Sequence, residues 1–252
     1  MRANNLRKIW AEGGTAVNGW LHIPSSWSAE VMAHAGWDSV TVDLQHGLSS
    51  FQDTVTMFQA IGTTDAVPMA RSTWNDPAQI MRLLDAGAYG IICPMINTRE
   101  EAEAFVGACR YPPMGYRSLG PTRASVYAGA DYAKHANETI VTLAMVETQQ
   151  ALDNLEDILA TPGLDGVFVG PGDLGLSLTG QTGMNMSEPA LAEALAHIGK
   201  TTQENGRIAG IWVPTPEIAK QMMALGYQFI TISTDTRLLS AAAKNIVEQV
   251  KS

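Results

Sequence analysis

Residues 142–173 read TLAMVETQQALDNLEDILATPGLDGVFVGPGD. One apolar run ends in Glu147, a segment of helical spacing follows, and a second apolar run, GVFVG, leads through Pro171 and Gly172 to Asp173. This is a strand, helix, strand unit with an acid at the close of each strand. In a parallel barrel the C-terminal strand ends share one mouth, so the two acids meet there. Paired carboxylates suit a hard or borderline cation such as Mg²⁺, Mn²⁺ or Co²⁺ and leave positions for water and substrate. The competing reading makes them first-turn helix acids set against backbone dipoles. Metal binding is preferred because both acids terminate strands and neither run holds another ionisable group.

The same alternation extends in both directions. Apolar runs rich in β-branched residues fall at 17–23, 39–45, 66–71, 90–96, 142–147, 166–171, 207–213 and 229–233. Helix punctuation lies between them. Asp76 precedes Pro77 as a cap before a first-turn proline, Thr98 and Glu101 form a capping box, Thr215 and Pro216 repeat the cap and proline, and Gly87 and Gly226 stop their helices. The pattern predicts a (β/α)₈ TIM barrel of one domain over 1–252, with an extra helix at 4–12 closing the bottom. A doubly wound sheet is the alternative. Insertions at 110–138 and 174–187 are both expected on the catalytic face.

Composition narrows the function. A net charge of −9 with no Lys/Arg block argues against a nucleic-acid surface. No run approaches a membrane span, and the amphipathic start lacks the apolar core of a signal peptide. Cys93 and Cys109 lack CxxC spacing and read as reduced thiols of a cytoplasmic protein. Lys8, Lys134, Lys200, Lys220, Lys244 and Lys251 fall in helices or in the long insertion, so no strand delivers the amine that Schiff-base chemistry needs.

Other strand ends carry further candidates. Asp43 precedes His46 by three residues, close enough for a carboxylate to reach one imidazole nitrogen and fix the tautomer for acid/base work. A turn histidine beside a structural aspartate is the alternative. Arg71 closes AVPMAR and needs an anionic partner, either a substrate oxyanion or a structural carboxylate. His22, which faces either layer, is left structural, as are His34, His135 and His197. Gly170, Gly172 and Gly175 do not spell GxGxxG, and an acid sits among them.

Taken together, VDLQHG at 42–47, the strand ending in Arg71, LLDAGAYGIICPMI at 83–96, YPPMGYRSLGP at 111–121, the strand ending in Glu147 and VGPGDLG at 169–175 resemble the HpcH/HpaI family of metal-dependent, pyruvate-utilising hydroxyketoacid aldolases. The resemblance implies cleavage of 4-hydroxy-2-oxoacids to pyruvate, or an analogue such as hydroxypyruvate, and an aldehyde. It implies a homohexamer, a trimer of dimers whose last helix, about 236–250, is exchanged between subunits. It assigns Glu147 and Asp173 to the metal, His46 to the catalytic base with Asp43 orienting it, Arg71 to transition-state stabilisation, and the backbone of Gly172 and Asp173 to the pyruvate carboxylate. Asp85 matches an aspartate linked to the catalytic histidine, although its place at a helix end puts it away from the mouth. Gly120, Arg117 and Arg123 either shape a neighbour's pocket or are surface residues. Met145 and Gln45 stand where some members carry a glutamine and an acid, so the aldehyde is expected to differ. An acyl-CoA lyase of related barrels and a non-catalytic metabolite-binding barrel remain as alternatives.

Overall fold

The computed structural model describes residues 1–251. Each apolar run forms a strand: β1 (Ala16–Leu21), β2 (Ser39–Asp43), β3 (Val67–Arg71), β4 (Gly90–Cys93), β5 (Val141–Val146), β6 (Gly166–Val169), β7 (Ile208–Val213) and β8 (Phe229–Ile232). The strands pair in parallel and in chain order, and β8 returns to β1 to close the barrel. Nearly all strand residues are buried because helices cover the outer face and side chains fill the interior.

Before β1 lies α1 (Asn5–Ala11). It crosses the N-terminal end of the barrel, as the extra helix was expected to do. Asn4 caps it and donates its amide to the carbonyls of Tyr89 (3.1 Å) and Thr139 (2.9 Å), which precede β4 and β5. Trp10 Nε1 donates to Gln228 O ahead of β8 at 3.0 Å.

The outer layer runs α2 (Ser26–Ala33), α3 (Phe51–Ile61), α4 (Pro77–Asp85), α5 (Arg99–Cys109), α6 (Thr122–Ala128), α7 (Tyr132–Thr139), α8 (Gln149–Asp153), α9 (Leu155–Leu159), α10 (Pro171–Thr179), α11 (Pro189–Glu204), α12 (Pro216–Ala224) and α13 (Asp235–Lys251). The predicted caps are in place. Asp76 accepts from the Ala78 N–H, Thr98 and Glu101 form a full capping box, and Thr215 caps the helix that Pro216 begins. Gly87 and Gly226 adopt φ of 106° and 92°, which explains a glycine after each helix.

The insertion at 110–138 departs from expectation. It begins after α5, when the chain has already returned to the bottom, and not after a strand end. Its residues hold the opposite face from the mouth: Arg2 N–H donates to Ala128 O at 2.7 Å, and Arg123 Nη1 donates to Ala86 O at 2.6 Å. A long gap between two strands gives a length and does not say on which side of the intervening helix the extra residues fall. Arg117 is no surface residue either. It is buried between the rings of Tyr111 and Tyr132 and pairs with Asp85 at 2.7 Å. Gly120 is exposed with open space around it.

The insertion at 174–187 does follow a strand end, and its Met184 reaches the mouth. The last helix, α13, leaves Leu239, Ile246 and Val250 exposed on the single chain. Among the described residues, no helix is long and apolar enough to cross a membrane.

Candidate active site at the C-terminal mouth

Side chains alternate along a strand, so positions two apart share the barrel interior. On β1 and just beyond it the inward series is Asn18, Trp20, His22; on β2 it is Ser39, Thr41, Asp43; on β3, Met69 and Arg71. Met145 and Glu147 continue the pattern on β5, and Phe168 and Gly170 on β6. The topmost inward position of each of these strands therefore contributes to the site. Below it, Trp20 stacks on Phe168 with centroids 5.7 Å apart, forming an aromatic floor. Gly210 makes room for that floor, since a Cβ there would sit 2.8 Å from Phe168.

Asp43 is the hub. Register places it directly beside Arg71, whose Nε donates to Oδ1 at 2.8 Å and Nη2 to Oδ2 at 2.5 Å. Oδ1 also accepts the backbone N–H groups of Gln45 (3.0 Å) and His46 (3.2 Å). Oδ2 meets Trp20 Nε1 at 3.1 Å and His22 Nε2 at 2.8 Å. Burial alone would raise the Asp43 pKa, but the hydrogen bonds from His22 and Arg71 and the Arg71 charge hold it well below the usual carboxylate range.

One expectation changes here, and one open alternative is decided. The Asp43 carboxylate reaches His46 through its backbone N–H, and the imidazole it meets belongs to His22. The anion that Arg71 requires is in the first place this structural carboxylate. His22 was legible only as the inward neighbour, two residues on, of Trp20; the spacing of Asp43 and His46 drew attention to the wrong ring.

Glu147 has the opposite surroundings. It is 1% exposed, and its Oε1 accepts the Met95 N–H at 2.8 Å, from a residue at φ 57°. A Cβ on Gly170 would run into Oε2, so glycine there lets the carboxylate lie over β6. Burial, with the charge of Asp173 acting in the same direction, pushes its pKa up to about 7 against the Met95 hydrogen bond and Arg71. Asp173 lies in the first turn of α10, exposed and lining the mouth with Gly172.

Trp20, His22, His46, Arg71, Met145, Phe168, Gly170 to Asp173, Met184, Trp212, Thr234 and Arg237 line one cavity of about 270 Å³. No lysine lines it. Asp85 is not brought there; it ends α4 at the far end of the barrel. His34 closes α2 and His197 lies within α11, where Nδ1 is 3.4 Å from Thr201 Oγ1.

Among the described residues no group of three or more His, Cys, Asp or Glu side chains could hold a metal ion. The pair Glu147 and Asp173 still fits one. Two oxygen donors at one mouth, one of them buried with its ionisation opposed by the other's charge, are what a divalent cation would relieve.

Paired acids, a carboxylate-held guanidinium and two histidines over an aromatic floor, all at strand C-terminal ends, define a (β/α)₈ enzyme site. Residues 19–242 match the family HpcH/HpaI aldolase/citrate lyase. The chain is 41% identical to a hydroxypyruvate/pyruvate aldolase of Rhizorhabdus wittichii over 249 residues, 99% of each chain. It is 36% identical to a 4-hydroxy-2-oxo-heptane-1,7-dioate aldolase of Escherichia coli, covering 96% of this chain and 92% of that one. Among solved structures, an HpcH/HpaI aldolase/citrate lyase family protein from Burkholderia cenocepacia superposes with a TM-score of 0.93 at 31% identity, over 99% of this chain and all of that one. The protein belongs to the HpcH/HpaI aldolase/citrate lyase family and is a carbon–carbon lyase of the aldolase type.

Proposed function

We propose that the protein is a divalent-metal-dependent hydroxyketoacid aldolase that cleaves 4-hydroxy-2-oxoacids to pyruvate, or a close analogue such as hydroxypyruvate, and an aldehyde, and runs the reverse addition. The observation that carries this reading is the buried Glu147 carboxylate, served by one backbone N–H and set against Asp173, which lines the mouth together with Arg71. Glu147 and Asp173 would hold a divalent cation such as Mg²⁺, Mn²⁺ or Co²⁺, which would supply Lewis-acid polarisation of the 2-oxoacid.

The chain's own groups do the rest. Backbone N–H groups of Gly172 and Asp173, at the start of α10, receive the substrate carboxylate, where unsatisfied donors and the helix dipole favour an anion. Arg71 is fixed by two bonds to Asp43 and stabilises charge developing on the C2 oxygen. His46, on the cavity wall, takes the C4 hydroxyl proton in cleavage and returns it to the aldehyde oxygen in synthesis. The apolar walls at Met145 and Trp212 select the aldehyde.

We also infer that this single-domain barrel works in the cytoplasm as a homohexamer. The exposed apolar residues of α13 support exchange of that helix between subunits, and the free, buried cysteines suit a reducing compartment. Asp85 pairs with Arg117 at the far end of the barrel, so any link it has to the histidine runs through a neighbouring subunit or an indirect network.

The test is pyruvate release from racemic 4-hydroxy-2-oxoacids of several chain lengths. Release should stop on complete chelation and return with Mg²⁺ or Mn²⁺. Activity that survives chelation would overturn the metal-dependent mechanism.

A further inference from the structure

An aldol reaction moves two protons, one at the C4 oxygen and one at C3, and the mouth holds two histidines. His46 serves the C4 oxygen. His22 is the better fixed of the two rings. Its Nε2 lies 2.8 Å from Asp43 Oδ2, and that carboxylate is itself immobilised by Arg71, Trp20 and two backbone N–H groups. Its backbone is gripped from the other side: Asp235, buried at the start of α13, accepts the N–H groups of His22 (2.9 Å) and Ile23 (3.1 Å) through its two carboxylate oxygens. The ring is 27% exposed and lines the cavity.

An ionised carboxylate on Nε2 sets the tautomer, because it can only accept. Nε2 carries the proton, and Nδ1 is the lone-pair nitrogen of a ring that lines the mouth. The barrel order adds a direction. His22 follows β1, and Glu147 follows β5, diametrically across the closed sheet. A 2-oxoacid whose carboxylate and keto oxygen turn toward the Glu147 and Asp173 side turns its C3 carbon toward the β1 side.

We propose that His22 is the acid/base residue for the C3 proton of the donor, working beside His46 at the C4 oxygen. This rests on the aldolase reading above. In the synthetic direction His22 Nδ1 takes a proton from C3. The C–H electron pair becomes the C2–C3 double bond, and the keto pair moves to the C2 oxygen beside Arg71. The enolate carbon then attacks the aldehyde carbon, and the proton held by His46 goes to the aldehyde oxygen. Both rings reset with solvent, and cleavage is the reverse.

Three measurements decide it. Exchange of the methyl protons of pyruvate for deuterium, followed by NMR with Mn²⁺ exchanged for Mg²⁺, reads the C3 step without an aldehyde. His22→Gln keeps a donor for Asp43 but has no base, and should lose exchange by about a hundredfold or more; His22→Gly should lose as much and regain part of it with added imidazole. The ring ¹⁵N spectrum of the metal-free protein should show the His22 proton on Nε2. Wild-type protein that neither exchanges nor releases pyruvate would overturn the aldolase reading together with this inference. Active wild-type protein with His22→Gln exchanging at more than about a tenth of the rate, or a proton on Nδ1 alone, would overturn the role of His22 only.

Discussion

Asp43 and Glu147 are both buried carboxylates at strand ends of the same mouth, and their surroundings drive them in opposite directions. Asp43 collects three side-chain partners and two backbone N–H groups, and its pKa falls. Glu147 has one backbone N–H and an acidic neighbour, and its pKa rises to about 7. Burial opposes ionisation at both positions; what differs is the donor supply. A carboxylate saturated by fixed donors is a structural anion, able to hold Arg71, His22 and Trp20 in place while the substrate changes. A carboxylate left short of donors favours a proton or a cation. The two roles could be exchanged only by exchanging their neighbours.

The same chemical change at each position tests this most sharply, beginning with the larger effect. Asp43→Asn removes the charge that Arg71 is buried against, and breaking a buried pair costs about 3 to 5 kcal/mol. It also frees several site groups at once, so cleavage should fall by about three orders of magnitude even under conditions where the variant is folded. Urea unfolding and steady-state kinetics measure the two losses. An Asp43→Asn protein of wild-type stability would show that the Asp43 network is not the anchor its geometry indicates.

Glu147→Gln should do the reverse to stability. The amide keeps an acceptor for the Met95 N–H and removes a carboxylate whose ionisation burial disfavours, so the metal-free melting temperature should hold or rise. Mn²⁺ affinity, read by calorimetry, should weaken by about two orders of magnitude, and pyruvate release should fall with it at fixed metal. Unchanged Mn²⁺ affinity would move the cation to another site.

The difference between these two acids also marks how far the sequence could be read. The barrel was legible because eight β-branched runs alternate with capped helices, and each run proved to be a strand. Glu147, Asp173, Arg71 and His46 were legible as strand-end residues; Asp173, Arg71 and His46 line the mouth, and Glu147 lies buried against Gly170 beside it. The partner of Asp43 was not. Spacing along the chain favoured His46, three residues away, whereas pairing of β1 with β2 brings His22 from the neighbouring strand. Likewise the 110–138 insertion could be counted but not placed, because length does not distinguish a loop before a helix from one after it. Contacts between neighbouring strands depend on register, and strands buried on both faces read as near-continuous apolar runs that carry little alternation to set it.

The smallest expected effect is the pH dependence of stability, and here the signs separate the two acids. Asp43 has a folded pKa below its ordinary 3.8, so its contribution is present above that value and is lost as pH falls below it. Glu147 is raised from 4.5 to about 7. Between those values the unfolded chain has released this proton while the folded protein keeps it, so metal-free stability should fall as pH rises from about 4.5 to about 7, by on the order of 2 kcal/mol. Urea titrations across that window, with chelator present, should show the decline in the wild type and its loss in Glu147→Gln. Adding Mn²⁺ should flatten the wild-type curve as well, because a bound cation takes the place of the proton. A slope that persists in Glu147→Gln would mean that another group titrates there, and the contrast between the two carboxylates would then rest on the Asp43 side alone.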